Sequence, residues 1–283
     1  MTSAIPLSTA QPTNPVIGLP SNAVQPEVLA AIARAKAKPE IVWEKLPANF
    51  VLPDDSVESI AQPLLAAALN DSLEIAQRVP PEAMIASNMA LVVRVNQKTI
   101  VKAPDWFYVD KAHRLGDCMI RRSYSPHLDG NTPAIMMEFL SEEETGEYST
   151  RPTFPYGKMY FYEKILEVPL YVIFDPSDGR LEVRKLNPAG DYELEPLDEN
   201  GRYFIPALEL YLGLWRGSKF DQTFYWLRWW DNSGQILLWG TEQIAQDQRL
   251  LAAEKQRAEA EKQRADNAEQ ELARLRQQLK EQG

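Results

Sequence analysis

The spacing of apolar positions changes repeatedly along the chain, and each change marks an element. From Ser56 onward, Val57, Ile60, Leu64, Leu65, Ala68 and Leu69 recur at helical spacing, with Pro63 expected to bend or restart the helix. A second short helical segment is expected over Ser72 to Arg78, stopped by Pro80-Pro81. The next hundred residues read mainly as sheet. Ala90 to Val95 and Thr99 to Lys102 are β-rich runs around Asn96-Gln97, a hairpin signal, and Asp105 sits inside the apolar run Ile100 to Val109. Met119 to Tyr124 is a further strand candidate, and Ala134 to Met137 is a short apolar run ended by Glu138. Gly157-Lys158 then opens Met159, Tyr160, Phe161, Tyr162, Ile165 and Leu166, the pattern of a helix with one broad apolar face. Pro169 to Phe174 is a near-continuous apolar run closed by Asp175-Pro176-Ser177-Asp178-Gly179, after which Leu181 to Leu186 and Tyr192 to Leu197 read as a meander. A helix between the strands at Ala134 and Leu170 is a parallel crossover, and hairpins flank it. The expected class is therefore α/β (α+β): a mixed β-sheet flanked by helices.

The two ends follow other patterns. Met1 to about Asn22 is rich in Pro, Ser, Thr and Asn without periodicity, and a short helix is expected within Pro26 to Lys38. Near the other end, Ala253 to Glu259 (AEKQRAE) recurs as Ala260 to Asp266 (AEKQRAD), a heptad repeat among strong helix formers. Leu251, Ala258, Ala265, Leu272 and Leu279 form one row, and Glu254, Glu261, Ala268 and Leu275 the other. A continuous helix is expected from about Glu242 to Gln278, with coiled-coil pairing after Asn267. Between Tyr203 and Trp239 aromatic residues crowd the chain, among them Trp215, Trp226, Trp229 and Trp230. Interleaved with Arg216, Lys219 and Arg228 they could stack on bases, but a second small core or a subunit contact is the better reading. The organisation expected is a leader over 1–55, a main domain over 56–215, a Trp-rich segment over 216–240 and a charged helical tail over 241–283.

Composition narrows the function. The chain has 283 residues and a formal charge of −10, which argues against non-specific coating of nucleic acid. Nine acidic and eight basic residues follow Thr241, so the acidity belongs to the body. A nucleic-acid site would have to be a local patch, for which Lys98, Lys102, Lys111, Arg114, Arg121 and Arg122 are candidates. Cys118 is the single cysteine and cannot form an internal disulfide. No apolar run approaches the about 20 residues that span a bilayer, and the N-terminus lacks a secretory pattern, so no membrane contact and a cytoplasmic location are expected.

Asp105, Glu138 and Lys158 carry the candidate chemistry. Each alone has an ordinary explanation in a turn, a strand end or a helix start. Together, two carboxylates set into apolar strands and a lysine at a helix start invite a metal ion or a hydrogen-bonded partner, because buried carboxylates need one. Mg²⁺ or Mn²⁺ accepts such hard oxygens when phosphate and water complete its shell, and a neighbouring lysine stabilises charge on a phosphate.

Pro104-Asp105, the MEFLS of Met137 to Ser141, and GKMYFYEK followed by VPLYVIFDP resemble the motif series of the putative restriction endonuclease (Uma-two) family, in the PD-(D/E)XK nuclease superfamily. The resemblance covers roughly Ile60 to Trp215. It implies a restriction-endonuclease-like core and a metal-dependent DNA endonuclease, with Asp105 and Glu138 as metal ligands and Lys158 as the positively charged catalytic helper. One departure stands out. The lysine of the usual E-x-K would fall at position 140, where this chain has Leu140, so its role passes to Lys158. An early-helix acid is often a further ligand in the superfamily, and Glu58 or Glu74 would fill that place. DNA is the implied partner, and a homo-oligomer, a dimer through the tail or the aromatic segment, is expected. The alternative is a non-catalytic interaction protein on a nuclease-like fold, acting through its aromatic patch and tail. A glycosidase using Asp105 and Glu138 is a distant third, since nothing else resembles a sugar site.

Overall fold

The computed structural model describes residues 40–45, 59–116, 119–141 and 146–281. The leader, the helix expected within Pro26 to Lys38, Glu58 and Cys118 lie outside these residues. The chain divides into Met1–Pro39 and Glu40–Gly283, and every described element belongs to the second unit.

Strand β1 (Ile41–Val42) precedes helix α1 (Ala61–Ile75), and strands β2 (Met84–Ala86), β3 (Ala90–Val95), β4 (Lys98–Lys102), β5 (Trp106–Val109), β6 (Ser123–Tyr124) and β7 (Ile135–Phe139) come next. Element α2 starts as a helical turn, Lys158–Tyr160, and widens into a π-helical turn, Phe161–Ile165. Strands β8 (Leu170–Asp175), β9 (Arg180–Leu186), β10 (Tyr192–Leu194), β11 (Arg202–Ile205), β12 (Leu210–Lys219) and β13 (Gln222–Trp230) lead to the long helix α3 (Gly240–Glu281).

The central sheet has six strands in the order β10-β9-β8-β7-β5-β2. Only β7 and β8 run parallel, joined by the crossover through α2, and the other neighbours are antiparallel. This is the mixed sheet that the strand, helix, strand order predicts. Both faces of β7 and β8 are covered, which is why each reads as an unbroken apolar run. Ile135, Met137 and Phe139 face a core that includes Leu65, Leu69 and Leu73 of α1 and Trp226 and Trp229 of β13. Met136 and Leu140 face the other core, with Phe107, Tyr171, Ile173 and the Met159, Tyr162 and Ile165 of α2. Among the described residues, no helix is long and apolar enough to cross a membrane.

Several expectations need correction. Pro63 neither bends nor restarts a helix. It lies in the first turn of α1, where its missing N–H has no intrahelical acceptor to lose. The separate segment from Ser72 is also absent, because α1 runs through it with the Ser72 hydroxyl donating to the carbonyls of Ala68 and Leu69. Ile100 to Val109 is not one strand. The ladder of β4 ends at Lys102, Pro104 cannot continue one, and Asp105 stands just before β5 in a different sheet. Glu138 lies inside β7 and not at its end. Of the strand expected over Met119 to Tyr124, only Ser123–Tyr124 forms, and Met119 and Ile120 are exposed.

The aromatic segment is strand and core. β12 and β13 form a hairpin in the three-stranded sheet β11-β12-β13, and Trp226 and Trp229 are fully buried against α1 and the central sheet. Burying such rings contributes on the order of 2 kcal/mol or more each, so they hold the two sheets together and are not a face for stacking bases.

Candidate active site

β5 and β7 pair antiparallel, with Trp106 opposite Met137 and Phe107 opposite Met136. Asp105 stands one residue before this ladder, beside the end of β7 that holds Glu138 and Phe139. The ladder stops there because Pro104 is next in register, and a side chain takes over. Asp105 Oδ2 accepts the Phe139 N–H at 2.6 Å, while the Phe139 carbonyl accepts Gln62 Nε2 of α1 at 2.9 Å. The end of β7 is thus clamped from both sides, and Asp105 is fixed by the strand that carries Glu138. A cleft of about 270 Å³, lined by Gln62, Ala66, Asn70 and Asn88 among others, opens beside Asp105.

Glu138 is 1% exposed. Its Oε1 accepts the Tyr162 hydroxyl at 2.6 Å, and its Oε2 lies 3.3 Å from Lys158 Nζ. Lys158 and Tyr162 are four residues apart on α2, so one helical face presents both to the same carboxylate. Lys158 also reaches Glu147 Oε1 at 3.0 Å. Burial pushes the Glu138 carboxyl above the ordinary range, against the pull of Lys158 and Tyr162 and with a further push from Glu147. Burial pulls Lys158 down, but Glu138 and Glu147, with help from Asp105, more than offset it and raise its pKa, so the lysine is an ammonium ion at any physiological pH. The Tyr162 hydroxyl, raised by burial and by Glu138, remains a donor.

Three sequence candidates, Asp105, Glu138 and Lys158, therefore come to one place. Leu140, at the position of the usual lysine, is buried with Met159 and brings no charge. The early helix contributes an amide, Gln62, where an acid was expected. Glu74 lies near the other end of α1 beside Gln77 and Val79, and Asp71 of the same helix is paired with Lys219 at 2.9 Å. Three of the six basic candidates are engaged within the fold. Arg121 is engaged by Asp129 at 2.9 Å, Arg114 donates to the Pro81 carbonyl, and Lys98 lies over the Phe154 ring. Sequence reading missed Glu147, one acid in a run that looks like a polar turn, and placed Tyr162 among apolar residues. The spacing from Lys158 to Tyr162 was the available signal for the second.

Gly157 sets where α2 begins. A Cβ there would lie 2.1 Å from the Ser149 carbonyl oxygen and 2.4 Å from the Ser149 hydroxyl. Gly157→Ala is expected to force the start of α2 away from Ser149, costing about 1–3 kcal/mol as overpacking does. Chemical denaturation measures the loss, and an unchanged midpoint would show that the close approach matters little.

Among the described residues no three His, Cys, Asp or Glu side chains gather as a metal-binding group. The donor set nevertheless fits a hard cation of the Mg²⁺ type, which needs one or two carboxylates from the protein when substrate and water supply the rest. Neither the curated proteins nor the solved structures include a match to this chain. The model of the Uma2 family, described as Putative restriction endonuclease, matches residues 51–220, a span that holds Asp105, Glu138 and Lys158, and the chain belongs to that family.

Proposed function

We propose that the protein is a metal-dependent DNA endonuclease whose catalytic residues are Asp105, Glu138 and Lys158. The observation that supports the reading is the Lys158 ammonium on Glu138, with Asp105 clamping the end of the same strand and near enough to act on the lysine's charge. A divalent cation, Mg²⁺ or Mn²⁺, held by Asp105 and Glu138 would polarise the scissile phosphate and acidify a water. Tyr162 fixes the rotation of the Glu138 carboxylate through Oε1. Lys158, with its side chain 24% exposed beside the buried Glu138, reaches toward solvent, and it stabilises negative charge developing on the phosphate. Relaxation of supercoiled plasmid tests the reading: wild type nicks with Mg²⁺ or Mn²⁺ and not with chelator. Intact plasmid across a range of salt and pH would favour the non-catalytic reading, which now rests on the tail alone because the aromatic segment is core.

The tail supports a second, separable proposal, that the chain dimerises through α3. No residue of α3 is buried, and Leu272, Leu275 and Leu279 are between 49% and 71% exposed. In a parallel in-register pair, Arg264 would meet Glu269 of the second copy and Glu271 would meet Arg276, flanking the leucine seam with opposite charges. Deleting Gln248 to Gly283 is expected to turn a dimer into a monomer in light scattering, and an unchanged mass would exclude the tail as the contact.

A further inference from the structure

Lys158 has two carboxylate partners where the proposed chemistry needs one. Glu147 is 1% exposed, gives Oε1 to Lys158 at 3.0 Å, and keeps Oε2 buried with no hydrogen-bond partner among the described residues. Its backbone carbonyl accepts the Tyr171 hydroxyl at 3.0 Å, which ties it to the same layer of tyrosines that backs Glu138. A buried carboxylate with an unused oxygen is costly, and such a group calls for a role.

We infer that Glu147 is the positioning residue of Lys158, holding the ammonium in place when Glu138 turns its oxygen to the divalent cation. The inference rests on the metal-dependent reading above. Glu138 Oε1 accepts the Tyr162 hydroxyl and Oε2 faces Lys158, so a cation held by Glu138 and Asp105 would draw on a carboxylate that the ammonium also uses. Were Glu138 the only partner of the lysine, cation and ammonium would compete for it. With Glu147 present, the lysine has three donors and a second acceptor already in reach. The charge count agrees: three carboxylates and one ammonium sum to two negative charges, which one divalent cation neutralises, whereas without Glu147 the loaded cluster would carry a buried positive charge. Glu147 acts through the lysine and is not a third ligand, consistent with the lack of a three-acid group among the described residues.

Mn²⁺ titration of the full chain, followed by the electron paramagnetic resonance of free Mn²⁺ without DNA, tests this with E147Q, K158M and the double variant. E147Q is expected to weaken Mn²⁺ binding about tenfold or more, because Lys158 then falls back on Glu138 alone. In the K158M background the same change should cost less than about threefold, since no ammonium is left to place. An equal penalty in both backgrounds would make Glu147 a direct partner of the cation and overturn the inference. So would E147Q binding Mn²⁺ like wild type, an outcome that leaves the metal-dependent reading intact. Wild type that binds no Mn²⁺ would sink both. If E147Q does not fold, the wild-type Lys158 ammonium decides by ¹H–¹⁵N NMR. It should stay protected from exchange when Mg²⁺ saturates the protein, and its loss on saturation would overturn the inference.

Discussion

Replacing Glu138 by glutamine should lower metal-dependent plasmid nicking by about 10³-fold or more and leave the metal-free fold at least as stable as wild type. The two effects have one cause. Glu138 is fully buried, and burial raises its pKa above that of the unfolded chain. A carboxyl raised in this way contributes stability that is complete below the unfolded pKa and is lost as pH rises through the folded one. At neutral pH its charge is therefore a cost to the metal-free protein that a neutral glutamine amide avoids, while Lys158 keeps Glu147 as its counter-ion. Thermal unfolding of the two proteins from pH 5 to 8 should show wild type losing stability relative to E138Q as pH rises. Asp105→Ala should abolish nicking as well, and Lys158→Ala should weaken it by about 10²-fold, because it removes charge stabilisation and not the cation's ligands. A Glu138→Gln protein that nicks like wild type would remove Glu138 from the chemistry.

The largest structural loss is expected at Arg228 of β13. Arg228 is 1% exposed on β13 and donates Nη2 to Glu242 Oε2 at 2.7 Å and to the Leu237 carbonyl at 2.8 Å. Its guanidinium lies 3.4 Å from the centroid of Trp239, and Glu242 in turn accepts the Trp239 N–H at 2.9 Å. One residue thus ties β13, the segment before α3 and the first turn of α3. Arg228→Ala strips the half-buried Glu242 of its counter-ion and the Leu237 carbonyl of its donor and opens a void beside two tryptophans, at a cost of about 3–5 kcal/mol. A fall in Tm of roughly 6–20 °C is expected for a folded unit of this size. Arg228→Lys should recover only part of it, since an ammonium cannot donate as a fork or stack on the ring. Circular dichroism melts measure both, and a fall under about 2 °C for the alanine variant would show that the network holds little.

The central part of this fold was readable because the sequence is locally consistent there. Asn96 and Gln97, read as a hairpin turn, do adopt positive φ of 48° and 63°. The apolar runs at Ile135 and Leu170 with a helix between them dictate a parallel pair, and the observed register bears this out. The hairpin of β12 and β13 was hidden for a physical reason. Its turn places Phe220 and Asp221 at positive φ, 53° and 58°, where Asn-Gly would have announced it, and tryptophan-rich strands buried on one face look like any aromatic patch. At the site, order along the chain and the family resemblance singled out Asp105, Glu138 and Lys158. The contacts that support them were not legible, since Gln62 acts from a helix 77 residues away in sequence and Glu147 sits in a run of acids that nothing local distinguishes.

The most direct measurement is the anomalous difference density of Mn²⁺ in crystals of the wild-type protein and of E138Q. One strong peak is expected in the wild type, within about 2.1–2.3 Å of a carboxylate oxygen from each of Asp105 and Glu138, and it should be lost in E138Q. A peak bound elsewhere, or one that survives E138Q unchanged, would contradict a cation shared by these two carboxylates.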